Sequence, residues 1–264
     1  MQAKIIISAV SYLNTKPFLF GLKKTGLIHN IDLQLEVPAK TADKLKNGLA
    51  HIGLVPVAVL PQLQHHKIIT DFCIGSVGDV KTVALYSQVP LSEIRKIYLD
   101  YQSRTSVQLI RILSENYWKL TDIEFIPATK HYEHQINGTT AGVIIGDRTI
   151  EWAPKFNYQY DLSRAWYEFT GLPFVFASWV TITDLPDGFE NSLNNAFRLG
   201  LNSIDEVVKL YHSDYNLDFD LHEYYTRFIS YEFDQQKRNG LELFLSYLNK
   251  NSAVNTIPAT KLVR

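Results

Sequence analysis

A single cysteine, Cys73, leaves this chain no means of closing an internal disulfide and suits a reducing compartment such as the cytoplasm. No apolar run reaches the roughly 20 residues that a membrane-spanning helix needs, so no membrane partner is expected. The first apolar run, IIISAV after Lys4, is too short for an export signal and has no small-residue cleavage site. Formal net charge is only −1 over 264 residues, so no global field draws nucleic acid or an anionic surface. Any anionic ligand has to be held by local groups. GxGxxG, the Walker loop, GxSxG, HExxH and CxxC are all absent, which removes the commonest nucleotide, serine-hydrolase and zinc signatures. Repeats, low-complexity tracts and Pro/Gly linkers are missing too.

What is present is a chain able to bury a full core. Hydrophobic residues make up 46% and charged residues 20%, in a length that suits one large domain or two ordinary ones. Short runs rich in β-branched residues alternate with helical spacing. Strands are expected at 4–9, 32–37, 51–55, 68–74, 80–87, 96–100, 123–126, 141–145 and 174–180. Helices are expected at 41–47 and 103–117, the latter from apolar residues at Val107, Leu109, Ile110 and Leu113. Such alternation predicts an α/β protein with largely parallel sheets. Beyond Pro186 the pattern turns helical, over 189–211 and 222–249, with a break expected around Asn239 and Gly240. Cys73, between Phe72 and Ile74, reads as a small buried apolar residue.

Polar residues gather just after the apolar strands. SYLNTKP (11–17) follows the first, with Ser11, Asn14 and Lys16 ahead of a proline that interrupts the run. GSVGDV (75–80) brings Ser76, YQSRTS (101–106) opens a helix, and GDR (146–148) brings Asp147 and Arg148. In open parallel sheets the carboxyl ends of strands form the ligand crevice, so these loops are expected to face one cleft. Ser103 is expected to cap its helix, leaving the amides of Thr105 and Ser106 and the Ser106 hydroxyl for a carboxylate or phosphate. An ordinary capped helix, with Arg104 in solvent, is the competing reading. Asn14 is either a ligand contact or a helix cap, and Asp147–Arg148 either a cleft pair or a surface ion pair. His131 and His134, in HYEH, lack a third ligand nearby and read as a solvated loop, so no metal is expected.

Taken together, these segments resemble the menaquinone-pathway chorismate dehydratases, the MqnA family. The similarity is carried by SAVSYLNTKPF, IGLVPVAVLPQL (52–63), SVGDVKTVALYS (76–87), LDYQSRTSVQLIRIL (99–113), AGVIIGDRTI (141–150) and YDLSRAWYEFTGLPFVFASWV (160–180), all collinear. The resemblance implies a periplasmic-binding-protein type II fold, with two α/β lobes and a central cleft. Lobe one would comprise 1–80 plus 179–264 and lobe two 81–178, with SVGDVKTVALYS and PFVFASWV crossing between them. It also implies a hydro-lyase that takes chorismate to 3-[(1-carboxyvinyl)oxy]benzoate and water with no metal or organic cofactor.

On that reading Asn14 and Ser76 are the expected catalytic groups, polarising the reacting ring with Ser11 in support. Ser103, Thr105 and Ser106 would hold a carboxylate, with Arg104 and Lys16 adding positive potential and Asp147 also at the substrate. The loops hold no His or Glu to act as base. Asp147 or one of the substrate's own carboxylates is left for that task, and the neutral character of the loops favours the substrate. Two rivals share the fold: a non-enzymatic carboxylate-binding module, and a related enzyme of the same pathway acting on a naphthoate precursor. No motif speaks to oligomeric state.

Overall fold

A computed structural model describes residues 4–212 and 219–254. The chain lays down β1 (Ile5–Val10), β2 (Ile31–Glu36), β3 (Ile52–Pro56) and β4 (Lys67–Ser76), then β5 (Val83–Ser87), β6 (Lys96–Leu99), β7 (Glu124–Pro127), β8 (Thr140–Ile145) and β9 (Tyr158–Asp161). It then returns through β10 (Phe174–Thr181) and a short β11 (Ser230–Glu232). Two sheets result, ordered β11-β4-β10-β3-β1-β2 and β7-β6-β8-β5-β9. Every residue of β3 and of β10 is buried, as expected of central strands covered on both faces.

The sheets are mixed, not largely parallel. β1 runs parallel to β2 and β3, but β10 inserts antiparallel between β3 and β4. In the second sheet β6 is parallel to β7 and β8, while β5 is antiparallel to both its neighbours. The reversal follows from the chain path: one strand leaves the first sheet and another comes back into it.

Residues 77–82 carry the chain out of the first sheet and 171–173 bring it back. β10 pairs within the first sheet from its first residue, Phe174 opposite Ser76 and Ala177 opposite Pro56. Residues 174–178, expected in lobe two, pair with β3 and β4 of the first sheet.

The helices are α1 (Lys16–Lys24), α2 (Pro38–Lys46), α3 (Thr105–Ile112), α4 (Arg148–Trp152), α5 (Leu162–Thr170), α6 (Phe189–Leu201), α7 (Ile204–Tyr211), a single turn α8 (Leu221–Glu223) and α9 (Gln235–Val254). Pro17 starts a helix and does not stop one: it sits in the first turn of α1, where its missing N–H has no partner to lose. The break expected near Asn239 and Gly240 falls instead at β11. Gly240 lies inside α9, where a Cβ would come 2.2 Å from the Pro173 carbonyl oxygen. Glycine there permits close helix approach and does not end the helix. One apolar cluster runs through both lobes, with Phe18, Trp179 and Phe197 in mutual contact. No helix among the described residues is long and apolar enough to cross a membrane.

Candidate functional site

A cleft of about 530 Å³, open mouth included, lies between the lobes. Its apolar lining comes from Val10, Pro56, Ile74, Val80, Ile145 and Phe176, mostly at strand ends. Its polar lining comes from Tyr12 and Asn14 in lobe one, Thr82 in the outbound crossing, and Ser103, Thr105 and Ser106 at the start of α3. No Lys, Arg, His, Asp or Glu is among the lining residues.

Asn14 sits in a short turn, Leu13–Thr15, that leads into α1. Its side chain caps neither element. Its Oδ1 accepts from the Thr15 hydroxyl at 3.2 Å, and no partner is recorded for its amide nitrogen among the described residues. The backbone of the same residue is held from the far end of the chain, where the Tyr231 hydroxyl donates to the Asn14 carbonyl at 3.1 Å.

At the start of α3 the groups divide differently from expectation. The Ser106 amide is not free: it donates to the Ser103 hydroxyl oxygen at 2.9 Å. The Thr105 hydroxyl is also engaged, accepting from the Ala58 amide at 3.3 Å and donating to the Phe176 carbonyl at 3.0 Å. Among the described residues, the Thr105 amide and the Ser106 hydroxyl remain without recorded partners. With the N-terminal end of the helix behind them, they can receive a carboxylate.

The other expected residues lie elsewhere. Ser76 is fully buried, absent from the lining, and hydrogen-bonded to the Ser163 hydroxyl at 2.5 Å. Ser11 is off the lining, its amide donating to the Glu36 carbonyl at 2.9 Å. Arg104 is exposed, 3.6 Å from Asp43 across the lobes, and the Lys16 ammonium stacks over the Tyr211 ring at 5.0 Å. The Asp147 carboxylate accepts from the Leu13 amide. Of the two histidines of HYEH, His134 packs edge-on against Trp152. Cys73 is buried as expected, and burial pushes its thiol pKa up to about 12.

Two cleft residues escaped the sequence reading. Thr82 stands directly before β5, where it passes for strand propensity; its hydroxyl meets the Tyr224 hydroxyl at 2.8 Å. Tyr12 was visible in SYLNTKP but was given no role at the site. Its hydroxyl donates to the Gln102 side chain, and burial, with Asp100 adding, raises its pKa, so the phenol keeps its proton. Behind it Asp100 accepts from Tyr132, from the amides of Gln102 and Ile145, and from Arg148, which also reaches Glu133. Burial opposes the Arg148 charge, but the Asp100 and Glu133 carboxylates outweigh it and raise its pKa. These buried charges are paired with each other and not presented to the cleft.

A family profile described as menaquinone biosynthesis matches residues 5–250. A chorismate dehydratase from Thermus thermophilus is 26% identical over 271 residues, covering 88% of this chain and 96% of that protein. Among solved structures, a structural-genomics protein of Archaeoglobus fulgidus superposes with a TM-score of 0.73 at 16% identity, covering 95% of this chain and 98% of the other. A Candida albicans protein exhibiting the generic periplasmic binding protein fold follows at 0.62 and 12% identity, over 94% and 95% of the two chains. The fold is therefore that of periplasmic binding proteins.

Proposed function

Because the chain belongs to the menaquinone-biosynthesis family, of the MqnA type, we propose that it is a chorismate dehydratase. It acts as a carbon–oxygen lyase, converting chorismate to 3-[(1-carboxyvinyl)oxy]benzoate and water. The observation that carries this reading is a cleft walled by both lobes whose polar groups are neutral donors and whose lining has no ionisable acid or base other than the protonated Tyr12.

Chorismate is a dianion that becomes aromatic on losing water, so the protein has to lower a barrier and need not drive the reaction. The ring carbon bearing the enolpyruvyl ether loses its proton, a ring double bond forms, and the neighbouring hydroxyl leaves with a proton as water. Negative charge builds towards the ring carboxylate as the C–H bond breaks. Donors already aimed at that charge stabilise it without reorganising. The Thr105 amide and the Ser106 hydroxyl take a carboxylate at the start of α3, with Ser103 fixing the turn. Asn14 polarises the ring from lobe one. Thr82, not Ser76, is the hydroxyl we assign beside it, because Thr82 lines the cleft. One of the substrate's own carboxylates removes the proton, the protein fixing the conformer in which it can reach.

The test is incubation of the purified protein with chorismate alone, followed by ultraviolet absorbance and mass. Appearance of the aromatic enol ether with loss of one water supports the reading. Saturable chorismate binding without turnover would leave a carboxylate-binding module. Turnover of a naphthoate precursor in place of chorismate would move the activity to another step of the route.

A further inference from the structure

Asp147 occupies the position from which an aspartate ordinarily caps its own helix, directly before α4. It does not do so: no side-chain cap bond forms there. Its carboxylate reaches instead across the cleft to lobe one. The Leu13 amide donates to it at 3.0 Å from Oδ1 and 3.1 Å from Oδ2, between residues 134 apart in sequence.

Leu13 is the first residue of the short turn that holds Asn14. The first amides of any helical turn have no acceptor within it. Here that need is met from the opposite lobe, and Tyr12, the residue before the turn, makes no side-chain cap. The neighbouring contacts cross the same gap. The Tyr12 hydroxyl donates to the Gln102 side chain, and the Ala39 amide donates to the Gln102 carbonyl at 3.2 Å. Gly146 brings lobe two against the Tyr12 ring: a Cβ at this left-handed position would stand 2.7 Å from the ring. Lobe two therefore grips three consecutive residues, Tyr12 by its ring and hydroxyl, Leu13 by its amide, and Asn14 through the turn they share.

We propose that Asp147 is a closure-dependent positioning residue, capping the Leu13–Thr15 turn from the other lobe so that the Asn14 amide is set only when the cleft is shut. The consequence for catalysis rests on the reading of Asn14 given above; the capping contact does not. The role differs from that of a base: the carboxylate accepts the Leu13 amide hydrogen at both oxygens and is absent from the cleft lining. It also gives the protein a way to couple lobe closure to the readiness of its active group.

Two variants and two measurements test this. Asp147→Ala removes the acceptor, whereas Asp147→Asn keeps one oxygen for the Leu13 amide. Hydrogen exchange at the Leu13 amide in the free protein needs no turnover. It is expected to quicken clearly in Asp147→Ala, to change little in Asp147→Asn, and to do so at nearly constant Tm. In the activity arm, Asp147→Ala is expected to lower kcat by about 100-fold, the scale of a misplaced reacting group, with KM moving much less. Asp147→Asn is expected to retain most of the turnover and an unchanged pH profile. Unaltered Leu13 exchange in Asp147→Ala, in the free protein and again with saturating chorismate, would overturn the capping role. Equal loss of turnover in both variants, with one limb of the pH profile gone, would make Asp147 the base. Absence of chorismate turnover in the unmodified protein would bring down the functional reading alone, and the exchange comparison would still decide the latch.

Discussion

The crossing between lobes and the cleft beside it are built from the same residue types, yet their polar groups end in opposite states. Around the crossing, Ser76, Asp79, Asp161, Ser163 and Arg164 all have partners within the protein. Asp161 accepts from the amides of Val80, Lys81, Ser163 and Arg164, Arg164 grips Asp79 at 2.6 Å, and Ser76 meets Ser163. In the cleft the Asn14 amide, the Thr105 amide and the Ser106 hydroxyl have no recorded partner among the described residues. A buried polar group costs free energy unless paired, so unpaired donors persist at a cleft wall where water or a ligand completes them. The difference separates groups that hold the hinge from groups that wait for a substrate.

The strongest way to break this comparison is at Asn14. Asn14→Ala is expected to lower kcat by about 100- to 1,000-fold, the scale of losing one preorganised donor. Thermal stability is expected to stay nearly constant, because the side chain makes a single local bond to Thr15. A marked fall in Tm with turnover preserved would return Asn14 to a purely structural role. Ser106→Ala comes next. Losing one hydrogen bond to a charged carboxylate is worth about 1.5–3 kcal/mol, so chorismate binding by calorimetry should weaken by about 10- to 150-fold. Stability again should hold.

Ser76→Ala should show the reverse pattern. It strands the buried Ser163 hydroxyl, at a cost of about 1–3 kcal/mol in a denaturant titration. Turnover at a temperature where the variant is folded should remain close to that of the unmodified protein. A loss of kcat as large as that of Asn14→Ala, without a loss of stability, would place Ser76 in the chemistry after all.

The contrast between Ser76 and Ser106 also marks how far the sequence could be read. In sequence both stand in a Gly- or Ser-rich segment beside an apolar run, and nothing local tells them apart. Which hydroxyl points into the cleft depends on pairing between Ser76 and Ser163, 87 residues away. Thr82 was missed for a related reason, since a β-branched residue before VALYS carries the strand signal and hides the site signal. Fully buried strands such as β3 and β10 were legible because burial on both faces leaves an unbroken apolar run. β9 was not: Tyr158 and Gln159 are exposed on a sheet edge, and four such residues carry no run. β11, three residues long, was read into a helix for the same lack of signal. The Asn14 loop was found because its polar residues stood next to a clear strand, whereas the acceptor for its first amide lies 134 residues on and leaves no local trace.

The smallest expected effect concerns the charges of the crossing itself. Hydrogen bonding to Arg164 holds the Asp79 carboxyl below its ordinary pKa, while burial pushes that of Asp161 up. The two titrate with opposite signs. For Asp79 the folded value lies below the unfolded value of about 3.9, so its stabilisation is present above that pH and is lost as pH falls through the folded value. For Asp161 the folded value lies above the unfolded one, so its contribution is full at low pH and declines as pH rises through the folded value. Asp79 is more than a third exposed, and solvent screens its pair, so the effect on Tm should be small. The Tm difference between the unmodified protein and Asp79→Asn, followed downward from pH 6, is expected to narrow below about pH 4 as the carboxylate protonates. A difference that stays constant to the lowest pH would mean that the Asp79–Arg164 pair contributes through geometry and not through charge, and the hinge would then owe its hold to Asp161 and the serine pair alone.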